Sequence, residues 1–534
     1  MLEHLLVRED AIEERKFQTS IAEEAAGKSS LVVLPTGLGK TVIACLVIAK
    51  KLRKGGRALV VAPTRPLVNQ HANSIRRFLT LGSPACLTGQ VSKKKRSTLW
   101  KVSNIVVATP QVAANDLKAG MIPNDIVLTV FDEAHRAVGN YAYVPLAKGL
   151  RKICPGMLVL GLTASPGHEM GRIDEVTKNL DIKNLIMRTR EDEDVAPYVQ
   201  EVDVDWLEVS PSEIMKKISN YLTKFLHEQL NTLRRYGFLR NRKNIHVRIQ
   251  DLTDVRKQMH ARSKGGKFPP YLFQASRRLS LAQVANHAIL CIERQGVDSF
   301  LKFLEPKTKE GRSKHDAALM KDVRVQRAFK AAKNWKGPSH PKIKPLLATI
   351  RNQLRLKPSS KIMVFAELRD TVAHIVGLLE DMEVSVKRFV GQGTREGRKG
   401  MTQKQQQKTL GRFEGGSFNV MVATSIAEEG LDVPQVDLVI FYEPVASDIR
   451  LIQRRGRTGR DARGRVVILT TDRSADERYL WAGVKKERRM KRLVDRIASE
   501  TRGDEESSDE SPSDTDSEES WTPRPKQPTL DDFL

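Results

Sequence analysis

Residues 31–41 read LVVLPTGLGKT, and the fold is decided by how this stretch is understood. Leu31 to Leu34 are apolar without interruption, as in a short strand buried on both faces. Pro35, Thr36, Gly37, Leu38 and Gly39 make a breaker-rich turn, and Lys40-Thr41 opens an apolar run of helical length, VIACLVIAKKL. Strand, glycine turn and helix in this order aim backbone N–H groups and a helix N-terminus at phosphate oxygens. Gly37 and Gly39 permit the tight curl, Lys40 reaches terminal phosphates, and the Thr41 hydroxyl suits Mg²⁺. Leu34 occupies the place where the full phosphate-loop pattern has its first glycine.

Outward from this stretch, short β-rich runs alternate with amphipathic segments. ALVVA (58–62), IVVA (105–108), IVLTVF (126–131) and MLVLGL (157–162) are followed, after a gap, by KIMVF, VSVKRFV, NVMVA, VDLVIFY and RVVIL between 361 and 469. That rhythm predicts two α/β domains with parallel sheets. From about 200 to 340 the strand signals fade and EIMKKISNYLTKFLHEQLNTLRRYG carries apolar residues at helical spacing, which predicts a helical insert. The expected division is 1–200 for the first α/β domain, 201–340 for the insert, 341–500 for the second, 501–526 for an acidic linker and 527–534 for a terminal peptide.

The chain has 534 residues, 40% hydrophobic, and a net charge of +26. No apolar run approaches the ~20 residues of a membrane helix, and the charged N-terminus lacks a signal-peptide pattern. The four cysteines form no CxxC pair, so neither a disulfide frame nor a zinc site is expected, and the protein reads as intracellular. Residues 503–520 hold nine acidic residues and no basic one, so the rest of the chain is still more basic than the total. An excess of that size points to a polyanionic partner. Within the insert, residues 234–278 carry thirteen Lys or Arg against Asp251 and Asp254, with Tyr236, Phe238, Phe268, Tyr271 and Phe273 interleaved. One-signed charge with aromatics predicts a nucleic-acid surface, in which Arg240, Arg242 and Lys243 are candidate contacts. The acidic run has no apolar residue and predicts a disordered tether.

Asp132-Glu133-Ala134-His135 follows IVLTVF, at the carboxyl edge of a strand, where α/β sheets bind their ligands. Asp132 can hold a phosphate-bridging Mg²⁺, and Glu133 can orient and deprotonate the attacking water. With the phosphate loop and this pair in hand, the chain resembles the superfamily 2 nucleic-acid helicases. Further segments follow the order of that family: Ala62-Pro63-Thr64-Arg65-Pro66-Leu67, Ala108-Thr109-Pro110-Gln111, Thr163-Ala164-Ser165, 423–432 (ATSIAEEGLD) and 453–460 (QRRGRTGR). The resemblance implies two tandem RecA-like domains, ATP and Mg²⁺ as cofactors, and DNA unwinding driven by domain closure. It implies arginine fingers at Arg457 and Arg460, Gln453 near the γ-phosphate, Asp432 on the ribose, and Gly430 among the residues that bind the nucleotide. Gln18, with Phe17 beside it, matches the adenine-reading glutamine, and Arg65, Thr109 and Thr424 match contacts to the nucleic-acid backbone.

The position of the insert and the stretch IAEEGLDVPQVDLVIFYEPVASDIRLIQRRGRTGR resemble the Hef/FANCM group, fork-remodelling DNA helicases whose insert is thumb-like. Many archaeal Hef proteins continue into an XPF-type nuclease, which is not expected in this chain. The resemblance implies forked, branched or junction DNA as partner, a chromosomal location and no membrane. A double-stranded-RNA-dependent ATPase of the Dicer and RIG-I-like branch is the nearest rival. A clamp-tethered scaffold for branched DNA with weak ATPase is a second. The final residues resemble a sliding-clamp box, with Gln527, Leu530, Phe533 and Leu534 as the residues expected to engage a PCNA-type clamp.

Overall fold

The computed structural model describes residues 6–9, 11–35, 37–164, 170–189, 192–198, 202–239, 249–263, 269–308, 313–391, 393, 400–424, 436–444 and 464–478. Seven strands build a first, wholly parallel sheet: β1 (Ser30–Val33), β2 (Arg57–Val61), β3 (Ala85–Leu87), β4 (Ile105–Ala108), β5 (Ile126–Asp132), β6 (Leu158–Thr163) and β7 (Asn184–Met187). Their order is β3-β4-β2-β5-β6-β1-β7. All four residues of β1 and of β4 are buried, as a central parallel strand covered by helices on both faces requires. Leu31, Val33, Val61 and Phe131 pack into one helix layer, and Val32, Leu34, Val60 and Val130 into the other. The order runs outward in both directions from the centre, so the carboxyl ends of β1, β5 and β6 lie side by side. That edge is the crevice in which open α/β sheets take ligands.

The second sheet repeats the design with β8 (Val202–Val209), β9 (Ile362–Phe365), β10 (Val386–Phe389), β11 (Val420–Ala423), β12 (Leu438–Phe441) and β13 (Gly464–Thr471), ordered β10-β11-β9-β12-β13-β8. Strand β8 corrects the expected domain division. It pairs in parallel with β13 over its whole length, Val202 opposite Gly464 through Val209 opposite Thr471. Residues 202–209 therefore belong to the second sheet, and the helical segment is inserted after that domain's edge strand.

The insert is helical, as its periodicity predicts. The long helix Glu213–Arg235 packs against Pro270–Leu290 and Val323–Lys333, with Leu222, Leu226, Leu230, Leu272, Leu279 and Ala282 in its core. After Leu290 the chain takes one π-type turn, Cys291–Gln295, and reverses at Gly296, whose φ is +95°. A Cβ at that glycine would run into the Ser339 carbonyl, so no other residue fits.

The π turn presents Glu293 and Arg294 to the second sheet's carboxyl edge. Arg294 Nε donates to Asp476 Oδ1 at 3.1 Å and its Nη1 to Glu367 Oε2 at 2.5 Å. Lys342, wholly buried, donates to Tyr442 O at 2.9 Å and to Asp476. Glu293 receives the Ala475 N–H at 2.8 Å and the Ser219 hydroxyl at 2.6 Å. Burial pushes the neighbouring Glu443 carboxyl up to about 7, against the pull of Arg294 and Lys342. Insert and second sheet are thus joined by buried charge as well as by the chain.

Candidate active site

The phosphate loop departs from β1 and enters the helix Lys40–Leu52. Gly37 and Gly39 take φ of +91° and +79°, the left-handed conformation for which glycine is suited. A Cβ on Gly39 would also collide with the Gln18 amide. Within this loop Lys40 Nζ donates to Leu34 O at 2.8 Å and reaches Pro35 O at 3.4 Å. The ammonium rests on these two carbonyls, which phosphate oxygens can replace. Thr41 follows on the first turn of the helix, where its hydroxyl and the helix dipole serve anions and their counter-cation together.

Gln18 and Phe17 are both buried beside the loop. Gln18 Nε2 donates to Leu38 O at 3.0 Å and the side chain is buried, so its amide nitrogen holds the loop. Phe17 is wholly buried, its ring 5.6 Å from that of Tyr198.

At the end of β5 the chain leaves the strand through Glu133, whose φ of +50° and ψ of +49° are left-handed. For a residue with a Cβ this costs roughly 1–2 kcal/mol and marks a position that the surroundings over-determine. Asp132 is buried, with Oδ2 2.8 Å from His71 Nε2. Burial alone would raise its carboxyl, but the His71 contact and the Lys40 charge outweigh it, and the group lies below the usual carboxylate range. Tyr143 donates its hydroxyl to Asp132 O at 2.6 Å, with Val61 O at 3.1 Å, which ties the ends of β5 and β2 together. His135 Nδ1 lies 3.0 Å from Thr163 Oγ1, at the end of β6, and 3.4 Å from Glu133 Oε2. Burial, aided by Arg136 and Arg172, pushes that imidazole down to about 4, so it is neutral at pH 7 and acts by hydrogen bonding.

Lys40 beyond β1 and the Asp132–Glu133 pair at the end of β5 therefore stand on either side of β6, whose Thr163 holds His135. Hard oxygen donors from Asp132 and Thr41 fit Mg²⁺, which takes one or two protein ligands and completes its shell with phosphates and water. The backbone-contact candidates form a separate row: Arg65 follows β2, its guanidinium against Gly89 beyond β3, and Thr109 follows β4. Thr424 follows β11, buried, with its hydroxyl lacking a hydrogen-bond partner among the described residues. On the insert, Phe273 is 69% exposed, Tyr271 lies 6.5 Å from Tyr236 ring to ring, and the Arg262 guanidinium sits 4.5 Å over Phe238. Thr36, Arg240, Arg242, Lys243, Gly430, Asp432, Gln453, Arg457, Arg460 and the terminal peptide lie outside the described residues. Sequence reasoning missed His71 and Tyr143. Neither stands in a motif by itself, and only the fold shows that both hold Asp132.

Comparison with known proteins agrees with this geometry. Residues 15–173 match the DEAD/DEAH box helicase model and residues 342–462 the helicase conserved C-terminal domain. A Methanocaldococcus jannaschii protein described as an ATP-dependent RNA helicase is 37% identical over 92% of this chain. The ATP-dependent DNA helicase mph1 of Aspergillus niger is 33% identical over 91% of it. The chain spans 62% of the first protein's length and 46% of the second's. Among solved structures, the Pyrococcus furiosus Hef helicase domain is 40% identical, with a TM-score of 0.69, covering 90% of this chain and 100% of that one. The chain belongs to the Hef/FANCM group of superfamily 2 helicases.

Proposed function

We propose that this protein is an ATP-dependent DNA helicase that remodels forked and junction DNA during repair of replication forks. The observation that carries the chemistry is that Lys40, beyond β1, lies close enough for its charge to act on Asp132, which ends β5 with Glu133 next to it. Mg²⁺ when bound neutralises charge on the phosphates. Lys40 holds the terminal phosphates, Asp132 and Thr41 hold the metal, and Glu133 takes a proton from the attacking water. Gln453, Arg457 and Arg460 complete the site from the second domain on closure, which couples hydrolysis to strand movement. DNA is favoured by the likeness to mph1 and to Hef, and RNA by the name of the M. jannaschii relative. ATP turnover measured with single-stranded, duplex, forked and four-way DNA beside double-stranded RNA decides between them. Strongest stimulation by forks or four-way junctions is expected, and stimulation by double-stranded RNA alone would move the chain to the RNA branch.

The insert's basic surface supports the preference for branched substrates. Changing Arg240, Arg242 and Lys243 together to Glu is expected to weaken fork binding more than single-strand binding. It should also flatten the salt dependence by roughly 0.9 in the log–log slope for each phosphate that is no longer neutralised. Fluorescence anisotropy over a salt series measures both. An equal weakening on the two substrates would reduce the insert to a general electrostatic patch.

The terminal peptide supports docking to a sliding clamp. Leu530, Phe533 and Leu534 share one face if 529–533 forms a helical turn, and Gln527 is free to enter a polar pocket. A peptide of residues 521–534 is expected to bind the host's clamp, and binding should vanish with Phe533→Ala and Leu534→Ala together. Calorimetric titration checks this, and affinity indifferent to both changes would leave only a tail.

A further inference from the structure

The helix Arg65–Phe78 has two ends of different use. It starts at Thr64, whose side chain caps Leu67 N at 3.5 Å, beside Arg65 in the row proposed to hold nucleic-acid backbone. Six residues further along the same helix, His71 is buried with Nε2 2.8 Å from Asp132 Oδ2. A carboxylate oxygen accepts and a ring N–H donates, so the 2.8 Å contact is a hydrogen bond from Nε2–H to Oδ2. One carboxylate oxygen is thereby held from the side of the sheet on which the nucleic-acid helix lies. Tyr143 fixes the same residue through its main-chain carbonyl. Of the two side chains, His71 and Tyr143, only His71 belongs to the helix that begins at the nucleic-acid row.

We infer that His71 is a positioning residue for the metal-binding carboxylate, and the joint through which occupancy of the nucleic-acid row reaches the ATP site. The inference rests on the proposed ATPase reading and adds the residue that links its two sites. A rigid helix carries a displacement at Arg65 to His71 without a separate relay, because its backbone hydrogen bonds resist stretching. Hydrogen bonds to groups that ligate metals orient them, and their removal typically weakens metal affinity by about 10–100-fold. Here the group on the metal side is a carboxylate. A donor to its second oxygen restricts rotation about the side chain and keeps the remaining lone pairs facing the phosphates.

The test uses the full chain with His71→Leu, which fills the space without a donor, and His71→Gln, which restores an N–H. The first readout is binding of a fluorescent ADP with and without Mg²⁺. His71→Leu is expected to need about tenfold more Mg²⁺ for half-maximal nucleotide binding, with metal-free binding unchanged. The second readout is the ratio of ATP turnover with and without forked DNA, which is expected to fall in His71→Leu. His71→Gln should recover most of both. A Mg²⁺ titration of His71→Leu that matches the wild type overturns the inference, as does an equal shift in Leu and Gln variants, which would mean that only packing matters. A wild-type chain that binds nucleotide without regard to Mg²⁺ would instead overturn the ATP-site reading, a result distinct from indifference to the substitutions.

Discussion

Replacing Lys40 by alanine is expected to reduce nucleic-acid-stimulated ATP hydrolysis by about two to three orders of magnitude, the usual effect of removing one preorganised electrostatic contact. Glu133→Gln should remove a general base and lower turnover by about 10²–10⁴-fold. DNA affinity should be largely retained in both. The reason is spatial: Lys40 lies in the phosphate loop and Glu133 past the end of β5, whereas Arg65 and Thr109 occupy the ends of β2 and β4. The two variants should also differ from each other. Lys40→Ala removes a contact made with bound nucleotide and should raise the apparent KM for ATP. Glu133 acts on water, so Glu133→Gln should spare nucleotide binding and depress kcat. Steady-state kinetics with and without forked DNA, beside a filter-binding isotherm, separates these outcomes. Turnover near the wild-type rate in either variant would remove that residue from the catalytic set.

The largest expected effect on stability belongs to the buried charges between insert and second sheet. Asp476 is wholly buried and accepts from both Arg294 and Lys342. Asp476→Ala removes the carboxylate that Arg294 and Lys342 share, in a medium that solvates both cations poorly. Breaking a buried pair from one side typically costs about 3–5 kcal/mol. Changing Lys342→Met in that background should recover part of this stability, because the orphaned ammonium is replaced by a thioether that needs no partner. Calorimetric unfolding of the four members of the cycle measures the coupling. Additive effects would mean that the two side chains do not share one network. The geometry also predicts that the insert and the second sheet melt together, since Arg294, Glu293 and Ser219 come from one and Asp476, Ala475 and Glu367 from the other.

Strands covered on both faces announce themselves in sequence. β1, β4, β9, β11 and β12 are fully buried, and each is an unbroken apolar run apart from Ser30 at the start of β1. β3, β7 and β8 escaped notice, and all three stand at sheet edges. β3 has three residues, and β8 interrupts its apolar residues with acidic ones, so no unbroken apolar run marks it. The site divides in a similar way. Lys40 and Glu133 stand in local motifs whose spacing carries their chemistry. His71 depends on a partner 61 residues away and Arg294 on one 182 residues away, and no local pattern marks either. Charge on a helix looks solvated until the fold supplies its counter-charge.

The edge position of β8 bears on how the chain emerges during synthesis. Asp205 of β8 meets Arg465 of β13 at 2.7 Å across 260 residues of chain. At roughly 5–20 residues per second, β8 waits on the order of tens of seconds for the strand that will cover it. The insert leaves the ribosome in that interval and can assemble its own helical core first. During the wait β8 is an open strand, and open strands recruit neighbouring chains. Asp205 and Glu208 place negative charge along it, which opposes pairing with another nascent copy of itself. The same acids that hide β8 from a hydrophobic pattern search protect it until Arg465 arrives.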